Sequence, residues 1–185
     1  SGKSHLEEVW PNLEMFFHGG VAFTPYRKQY EQLITSPNMH YMETYNASEG
    51  FFGLQNDPSD KSMLLMLDYG VFYEFIPMDE FGRENPTVVP LWGVETGKNY
   101  AMVISTSSGL WRYIIGDTVM FTSVNPYKFL ITGRTKHFIN AFGEELIVDN
   151  AEQGLAYACQ QTGAQVLEYT AAPVFMNEEG KCRHQ

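Results

Sequence analysis

The sequence predicts a mixed α/β (α+β) fold: the end of an α/β sheet subdomain, then an antiparallel β meander or barrel, then the start of a small α+β domain. Three observations predict it. Residues 1–61 read as strand, helix, strand; residues 62–134 are dominated by strand patterns; and residues 135–185 return to a helix followed by short strands. We therefore divide the chain into these three segments.

The first segment predicts a β-α-β unit. An apolar strand, 13–18, ends at Gly19 and Gly20. In the helix that comes next, Thr24 can cap the first turn, Pro25 suits the first position, and Tyr26, Tyr30, Leu33 and Ile34 recur on one face. The chain becomes extended again over 39–44, as parallel α/β sheets require.

The second segment predicts a series of hairpins. Strands are expected at 63–67, 71–76, 100–104, 110–115, 118–123 and 128–132. Tyr69-Gly70 is interpreted as the turn between the first two, and Ser105 to Gly109 as a turn instead of a phosphate loop, because it lacks the Walker glycine spacing and opens no helix.

The third segment predicts a helix and two strands. Asn150 and Gln153 are spaced as a capping box, Leu155, Ala158 and Cys159 share a face, and Gly163 is a stop signal. Strands are expected at 166–170 and near Val174-Phe175, with a turn at 177–180. Since the last strand hardly begins, we expect the chain to be a fragment of a larger protein.

Composition excludes several functional classes. With 22 acidic and 12 basic residues in 185, the net charge of −10 argues against nucleic acid or an anionic membrane as partner. No apolar run approaches the roughly 20 residues of a membrane helix. The two cysteines are too few for a disulfide scaffold. We expect a soluble, cytoplasmic protein.

The first candidate site is Thr44 to Gly50. At the carboxyl end of a strand it would present Tyr45 as a stacking plate, hydroxyl groups for hydrogen bonding, and Glu49 as a magnesium or phosphate-side ligand. The alternative, favoured on these residues alone, is a helix N-terminus capped by Ser48.

The second candidate site is Trp111 to Val119, where Gly116-Asp117 interrupts an apolar strand. A carboxylate held there could accept hydrogen bonds from both hydroxyls of a ribose. The alternative is an ordinary hairpin turn with Asp117 in solvent.

The third candidate site is Gly133 to Leu146, which resembles a hinge whose Arg134 pairs with phosphate or ribose oxygens. The alternative is a plain interdomain linker. His18, His40 and His137 occur singly, so no histidine metal site is predicted.

In this order the three motifs resemble those of adenylate-forming enzymes. More closely, the chain resembles the auxin-responsive promoter family of acyl acid amido synthetases over nearly its whole length. The segments that carry this resemblance are Trp10-Pro11-Asn12, Phe17-His18-Gly19-Gly20, Thr44 to Gly50, Tyr73 to Pro77 and Trp111 to Val119.

The resemblance implies a ligase that uses ATP and Mg²⁺ to convert a small carboxylic acid into an acyl adenylate, from which an amine or amino acid displaces AMP. It implies that residues 1–61 belong to a large nucleotide-binding domain, 62–134 to a barrel-like part of it, and 135–185 to a hinge and a truncated C-terminal domain. It also implies a role for each site residue: Tyr45 lies against adenine, Asn46 and Ser48 contact the nucleotide, Glu49 holds magnesium, Asp117 binds the ribose, Arg134 contacts the nucleotide, and Gly19, Gly20 and Tyr73 line the nucleotide or acyl pocket.

The chain departs from the family pattern in two ways. The upstream phosphate loop is absent, so this piece alone is expected to be inactive, and Asn46 replaces a usual glycine. Two other functions stay open: an acyl-CoA ligase of the phenylacetate type, which passes the acyl group to a thiol, and a nucleotide-binding module without chemistry.

Overall fold

The computed structural model describes residues 2–20, 23, 26–135, 138–139, 146–166, 169–174 and 183–184. Its first elements are a short 3₁₀ turn at Leu6–Glu8, strand β1 (Met15–His18), helix α1 (Arg27–Leu33), β2 (His40–Ala47) and β3 (Gly50–Gln55). The next are β4 (Met63–Leu65), β5 (Val71–Pro77), β6 (Val89–Pro90), a second 3₁₀ turn at Leu91–Gly93, β7 (Asn99–Thr106), β8 (Tyr113–Val124) and β9 (Tyr127–Arg134). The last are β10 (Phe138–Ile139), β11 (Leu146–Ile147), α2 (Val148–Thr162), β12 (Pro173–Val174) and β13 (Arg183–His184).

One nine-stranded sheet runs through the first two segments, in the order β1-β2-β3-β4-β9-β8-β7-β5-β6. Strands β1 and β2 are parallel, with Met15 opposite His40. The remaining neighbours in this sheet are antiparallel, and β7, β8 and β9 form a meander. The mixed α+β class, the β-α-β unit and the antiparallel region are therefore confirmed.

Helix α1 is shorter than predicted. It begins at Arg27, with Tyr26 preceding it in a helical conformation and no side-chain cap. Thr24 and Pro25, the predicted cap and first residue, lie outside the described residues. Ile34 ends the helix in an extended conformation and is buried, so it contributes to the core but not to the helical face.

Two of the predicted turns in residues 62–134 are wrong. Strands β4 and β5 do not form a hairpin, because β4 pairs with β3 and β9 whereas β5 pairs with β6 and β7. Gly116-Asp117 is not a turn either, because β8 continues through it for 12 residues. The β7–β8 turn is where it was predicted, closed by a hydrogen bond from Gly109 N–H to Thr106 O at 3.2 Å.

The third segment agrees in part with the elements predicted from the sequence. Helix α2 begins at Val148, so Asn150 lies inside it and is not its N-cap. Gly163 ends it as predicted, with φ of +72° and its N–H bonded to Cys159 O at 2.9 Å. The described residues of the predicted 166–170 strand are not in a strand, whereas Val174 is in one. Phe175 and the turn at 177–180 lie outside the described residues.

Aromatic side chains on one face of the sheet form the main core. Its largest fully buried members include Tyr100, Phe52, Phe75, Phe121 and Phe129. The rings of Phe75 and Phe121 meet edge to face, with centroids 5.1 Å apart. A smaller cluster of Ile76, Ala101 and Val103 covers the other face, which explains why β7 is apolar on both sides.

The core leaves no room for a side chain at Gly53. A Cβ there would lie 2.7 Å from Phe129 Cζ and 3.2 Å from Met63 Cβ, and Phe129 is only 1% exposed. We expect Gly53→Ala to lower the free energy of unfolding by about 1–2 kcal/mol through overpacking. Urea unfolding measures this, with Gly154→Ala as the matched control because a Cβ at Gly154, in exposed α2, meets nothing within 4 Å. The control should be neutral or slightly stabilising; equal losses in both variants would refute the overpacking account.

A polar cluster closes the β3–β4 loop. Asp60 accepts hydrogen bonds from Lys128 Nζ at 2.8 Å, from Ser62 N–H at 2.9 Å and from Ser62 Oγ at 2.7 Å. The bond from Lys128 is the largest of the effects that lower the pKa of Asp60 from 3.8 to about 2.

We expect this cluster to stabilise the protein above about pH 4. The folded pKa of Asp60 is below its unfolded value, so the contribution is complete above the unfolded pKa and is lost as the pH falls from about 4 to 2. Because the carboxylate is 38% exposed, Asp60→Asn should cost only about 0.5–1 kcal/mol at pH 6. Urea unfolding at pH 6 and 2.5 tests this, with exposed Asp68→Asn as control. A loss for Asp60→Asn that is the same at both pH values would contradict the expectation.

Candidate functional site

The first motif forms a hairpin between β2 and β3. Ala47 pairs with Gly50 across a two-residue turn at Ser48-Glu49, so the alternative of a helix N-terminus capped by Ser48 is wrong. A register shift between Tyr45 and Asn46 interrupts the pairing. Such bulges redirect side chains, and here Tyr45 is buried whereas Asn46 and Ser48 are exposed.

The second motif is an irregular stretch of β8. Arg112, just before the strand, has φ of +46°, and Gly116 within it has φ of +93°. Only glycine takes the left-handed region without strain, which accounts for Gly116. Asp117 comes next, opposite Arg134 on β9, and its side chain is 17% exposed. The alternative of a solvated turn residue is therefore wrong.

Tyr45 and Arg134 hold the two oxygens of Asp117. The Tyr45 hydroxyl donates to Oδ2 at 2.5 Å, and Arg134 Nε lies 3.1 Å from Oδ1. Burial, followed by the charge of Asp117, raises the pKa of Tyr45 far above its ordinary value, so the phenol keeps its proton and stays a donor. Asp117 is thereby fixed as an acceptor with lone pairs left for a ligand.

A second hydrogen bond also joins the two motifs, but here the donor belongs to the second motif and the acceptor to the first. Tyr113 Oη of the second motif donates to Glu49 Oε1 of the first at 3.3 Å, across 64 residues of sequence. Each motif thus supplies a tyrosine to the carboxylate of the other, and the structure brings Glu49, Asp117, Tyr45 and Arg134 together. Sequence reasoning gave Tyr113 no role of its own, because nothing in a linear pattern indicates which carboxylate it meets.

Gly19 lies beside the first motif. A Cβ at this position would be 2.5 Å from the carbonyl oxygen of Thr44 and 3.3 Å from Asn46 Oδ1, so only glycine fits. Thr44 Oγ1 in turn donates to the carbonyl of His18 at 3.2 Å. Gly20, with φ of +84°, completes the turn at the carboxyl end of β1. Gly19 therefore borders the hairpin that carries Glu49, and Gly20 is the next residue along the chain.

Tyr73 is separate from this group. It is 3% exposed, its hydroxyl donates to Met66 O at 2.9 Å, and its ring centroid lies 6.4 Å from that of Phe52. Burial raises its pKa above the ordinary value. Tyr73 is thus placed in the core, where the structure gives it a packing role.

The third motif is described only in part. Arg134 ends β9, and Thr135 N–H donates to Gly116 O at 2.8 Å, which ties the start of the segment to the second motif. Further along, β10 and β11 pair antiparallel, so the segment is not a structureless linker. Lys136, His137 and 140–145 lie outside the described residues.

The described residues offer a limited donor set for a metal. Within the described ranges, no three His, Cys, Asp or Glu side chains come together as a cation site. Mg²⁺, however, is commonly bound through one or two carboxylates together with substrate phosphates. A single glutamate at the turn, Glu49, fits that mode. Of the described helices, none has the length and apolar character to cross a membrane.

The fold is similar to part of solved acyl acid amido synthetase structures. A solved GH3.15 acyl acid amido synthetase superposes with a TM-score of 0.71 at 23% identity, covering 91% of this chain and 31% of that one. The same enzyme in complex with 2,4-DB gives a TM-score of 0.70 at 21% identity, covering 91% and 30%.

Sequence comparisons show similarity to the GH3 proteins. Residues 64–134 match the GH3 family central domain. The chain is 28% identical to indole-3-acetic acid-amido synthetase GH3.3 of Arabidopsis thaliana over 90% of its own length and 29% of that protein. It is 32% identical to the 4-substituted benzoates-glutamate ligase GH3.12 of the same plant over 66% of this chain and 21% of that protein. The chain is thus similar to GH3 amido synthetases, and it spans about 30% of the length of the indole-3-acetic acid-amido synthetases that it matches.

Proposed function

We propose that this chain is part of an ATP-dependent acyl acid amido synthetase that joins a small carboxylic acid to an amino acid. The observation that carries the proposal is the pair of cross-motif hydrogen bonds, Tyr45 to Asp117 and Tyr113 to Glu49, which assemble two carboxylates with distinct environments in one place. The relatives support it, because their names describe amide formation with indole-3-acetic acid and between benzoates and glutamate.

The reaction has two steps. An oxygen of the substrate carboxylate attacks the α-phosphorus of ATP, the new O–P bond replaces the bond to the bridging oxygen, and pyrophosphate leaves. The amine nitrogen then attacks the acyl carbon, the C–O bond to the adenylate breaks, AMP leaves, and the nitrogen loses its extra proton to solvent or a base. Adenylation replaces a poor leaving group with a good one; the protein must position the reactants and exclude water.

Asp117 is proposed to bind the ribose. Its two oxygens are held by Tyr45 and Arg134, which fixes the direction of the remaining lone pairs. Tyr45 was predicted to stack on adenine, but its ring is 5% exposed and would have to leave the core to do so. We assign it instead to holding Asp117. Arg134, 55% exposed, can keep this contact or turn towards nucleotide oxygens.

Glu49 is proposed to hold Mg²⁺, which when bound would neutralise phosphate charge. The exposed Asn46 and Ser48 flank it on the hairpin and are placed to donate hydrogen bonds to the nucleotide. Gly19 packs against Thr44 of the same hairpin, whereas a Cβ at Gly20 would meet nothing within 4 Å, so a ligand can approach the backbone at Gly20. Tyr73 supports this region through Phe52, which packs in turn on Tyr45 with ring centroids 5.0 Å apart.

The three-segment division is retained as a proposal. The sheet that runs through β1 to β9 joins 1–61 and 62–134 in one domain, and 135–185 would begin a second. The cytoplasmic location is proposed on the cysteines, since Cys159 is buried and free.

ATP–pyrophosphate exchange by the parent protein tests the function. A panel of aromatic, aliphatic and hydroxy acids is supplied singly, and the acid-dependent exchange is measured. Each active acid is then combined with an amino acid mixture or with coenzyme A, and the product mass is determined. Exchange followed by an amide is expected. A thioester would indicate an acyl-CoA ligase, and ATP binding without exchange would indicate a module that lacks the chemistry.

A further inference from the structure

The backbone that immediately precedes Tyr113 is fixed by contacts of Arg112. Arg112 takes φ of +46°, a conformation that is strained for an L-residue and persists only where other contacts fix it. Two contacts do so: Arg112 N–H donates to Ser105 Oγ at 2.9 Å, and Arg112 Nε donates to Glu74 Oε2 at 3.0 Å.

This turn directs Tyr113 across the sheet to Glu49. The Tyr113 hydroxyl meets Oε1 of Glu49 at 3.3 Å. In the part of the chain that the structure describes, the other oxygen, Oε2, has no hydrogen-bond or ion-pair partner. Glu49 lies at a two-residue turn, where a glutamate side chain would otherwise sample many rotamers.

We propose that Tyr113 is a positioning residue for Glu49: it engages one carboxylate oxygen and leaves the other directed towards a divalent cation that accompanies the nucleotide. This inference rests on the proposed function. Tyr113 touches neither substrate nor cation. It restricts the rotamers of Glu49 before the cation binds, so that Glu49 loses less conformational freedom on binding. Asp117 is held by different donors, Tyr45 and Arg134, so the two carboxylates are positioned independently.

The independence of the two tyrosines gives a test with two readouts. Isothermal titration calorimetry on the parent protein measures AMP affinity in EDTA and, separately, the Mg²⁺ concentration that gives half of the increase in ATP affinity. Tyr113→Phe keeps the ring and removes the hydroxyl, and should raise that Mg²⁺ concentration about 3- to 10-fold, as the loss of one hydrogen bond predicts, with AMP affinity unchanged. Tyr45→Phe should lower AMP affinity and leave the Mg²⁺ concentration unchanged.

Tyr69→Phe is the matched control, because Tyr69 is 60% exposed and, among the described residues, its hydroxyl makes no hydrogen bond while its ring contacts Phe51. It should move neither readout. An unchanged Mg²⁺ midpoint in Tyr113→Phe, or an equal loss of AMP affinity, would overturn the positioning role. A wild-type protein that binds no ATP at any Mg²⁺ concentration would overturn the proposed function and this inference with it. Thermal unfolding of each variant verifies that it is folded.

Discussion

Glu49→Gln is expected to slow acid-dependent ATP–pyrophosphate exchange by about 10²–10³-fold, which corresponds to roughly 2.7–4 kcal/mol of transition-state stabilisation. The substitution keeps the shape of the side chain and its hydrogen bond with Tyr113 but removes the charge that we propose binds the cation. AMP carries no pyrophosphate to be displaced, so its affinity should change less than threefold. The expected result is therefore a loss confined to the step in which phosphate charge moves.

The control for this prediction is Glu84→Gln, which removes the same charge from an exposed loop. It separates the local role of Glu49 from the effect of net charge, and should leave both the exchange rate and AMP affinity intact. If Glu49→Gln lowers AMP affinity as much as it lowers exchange, Glu49 is a structural residue of the hairpin. If exchange is unaffected, the cation is held elsewhere in the parent protein.

The sequence predicted the strands well where an alternating apolar pattern was followed by turn-forming residues such as glycine. Strand β1, the parallel return in β2 and the β7–β8 turn were found because apolar residues recur at strand spacing and glycines come after them. It was less informative about pairing. Tyr69-Gly70 has turn chemistry, yet the strands on either side belong to different parts of the sheet, since β4 is bound by β3 and β9. Local turn signals do not encode which strands meet over long distances.

The structure brings the first two candidate motifs together, but their local conformations differ from those predicted. Glycine before aspartate is a common turn signal. In β8, however, Gly116 lies at an irregular position within a continuous strand, and Asp117 is held by Arg134 on β9. Similarly, Ser48-Glu49 reads as a helix start but closes a hairpin. In both cases the tertiary partner decides the conformation, and that partner lies far away in the sequence.

The role of Tyr45 illustrates the same limit at a single residue. An aromatic residue next to a polar motif is consistent with a stacking plate, and burial cannot be read from its neighbours. The structure shows why the ring is in the core: the bulge after Tyr45 separates it from the exposed Asn46, and its ring packs against Phe52 and Phe129. The hydroxyl is the part that reaches the site.

Asp117→Ala is expected to weaken AMP binding about 10- to 150-fold, or roughly 1.5–3 kcal/mol, through loss of charge-assisted hydrogen bonds to the ribose. The measurement is calorimetric titration of the parent protein with AMP. Asp68→Ala, on an exposed loop, removes the same charge and should have no effect. Comparison with 2′,3′-dideoxy-AMP makes the assignment specific, since the variant should lose affinity for AMP but not for the analogue.

Removing Asp117 also leaves the buried Tyr45 hydroxyl and Arg134 without their acceptor, which costs stability by itself. Asp117→Asn reduces this cost in part, because the amide oxygen still accepts from Tyr45 although the NH2 group then faces Arg134, and only one oxygen remains for the ribose. Its loss of AMP affinity should therefore be smaller than that of Asp117→Ala. If Asp117→Ala retains AMP affinity, or weakens AMP and the dideoxy analogue equally, Asp117 holds β8 and β9 together and the ribose is bound by other residues.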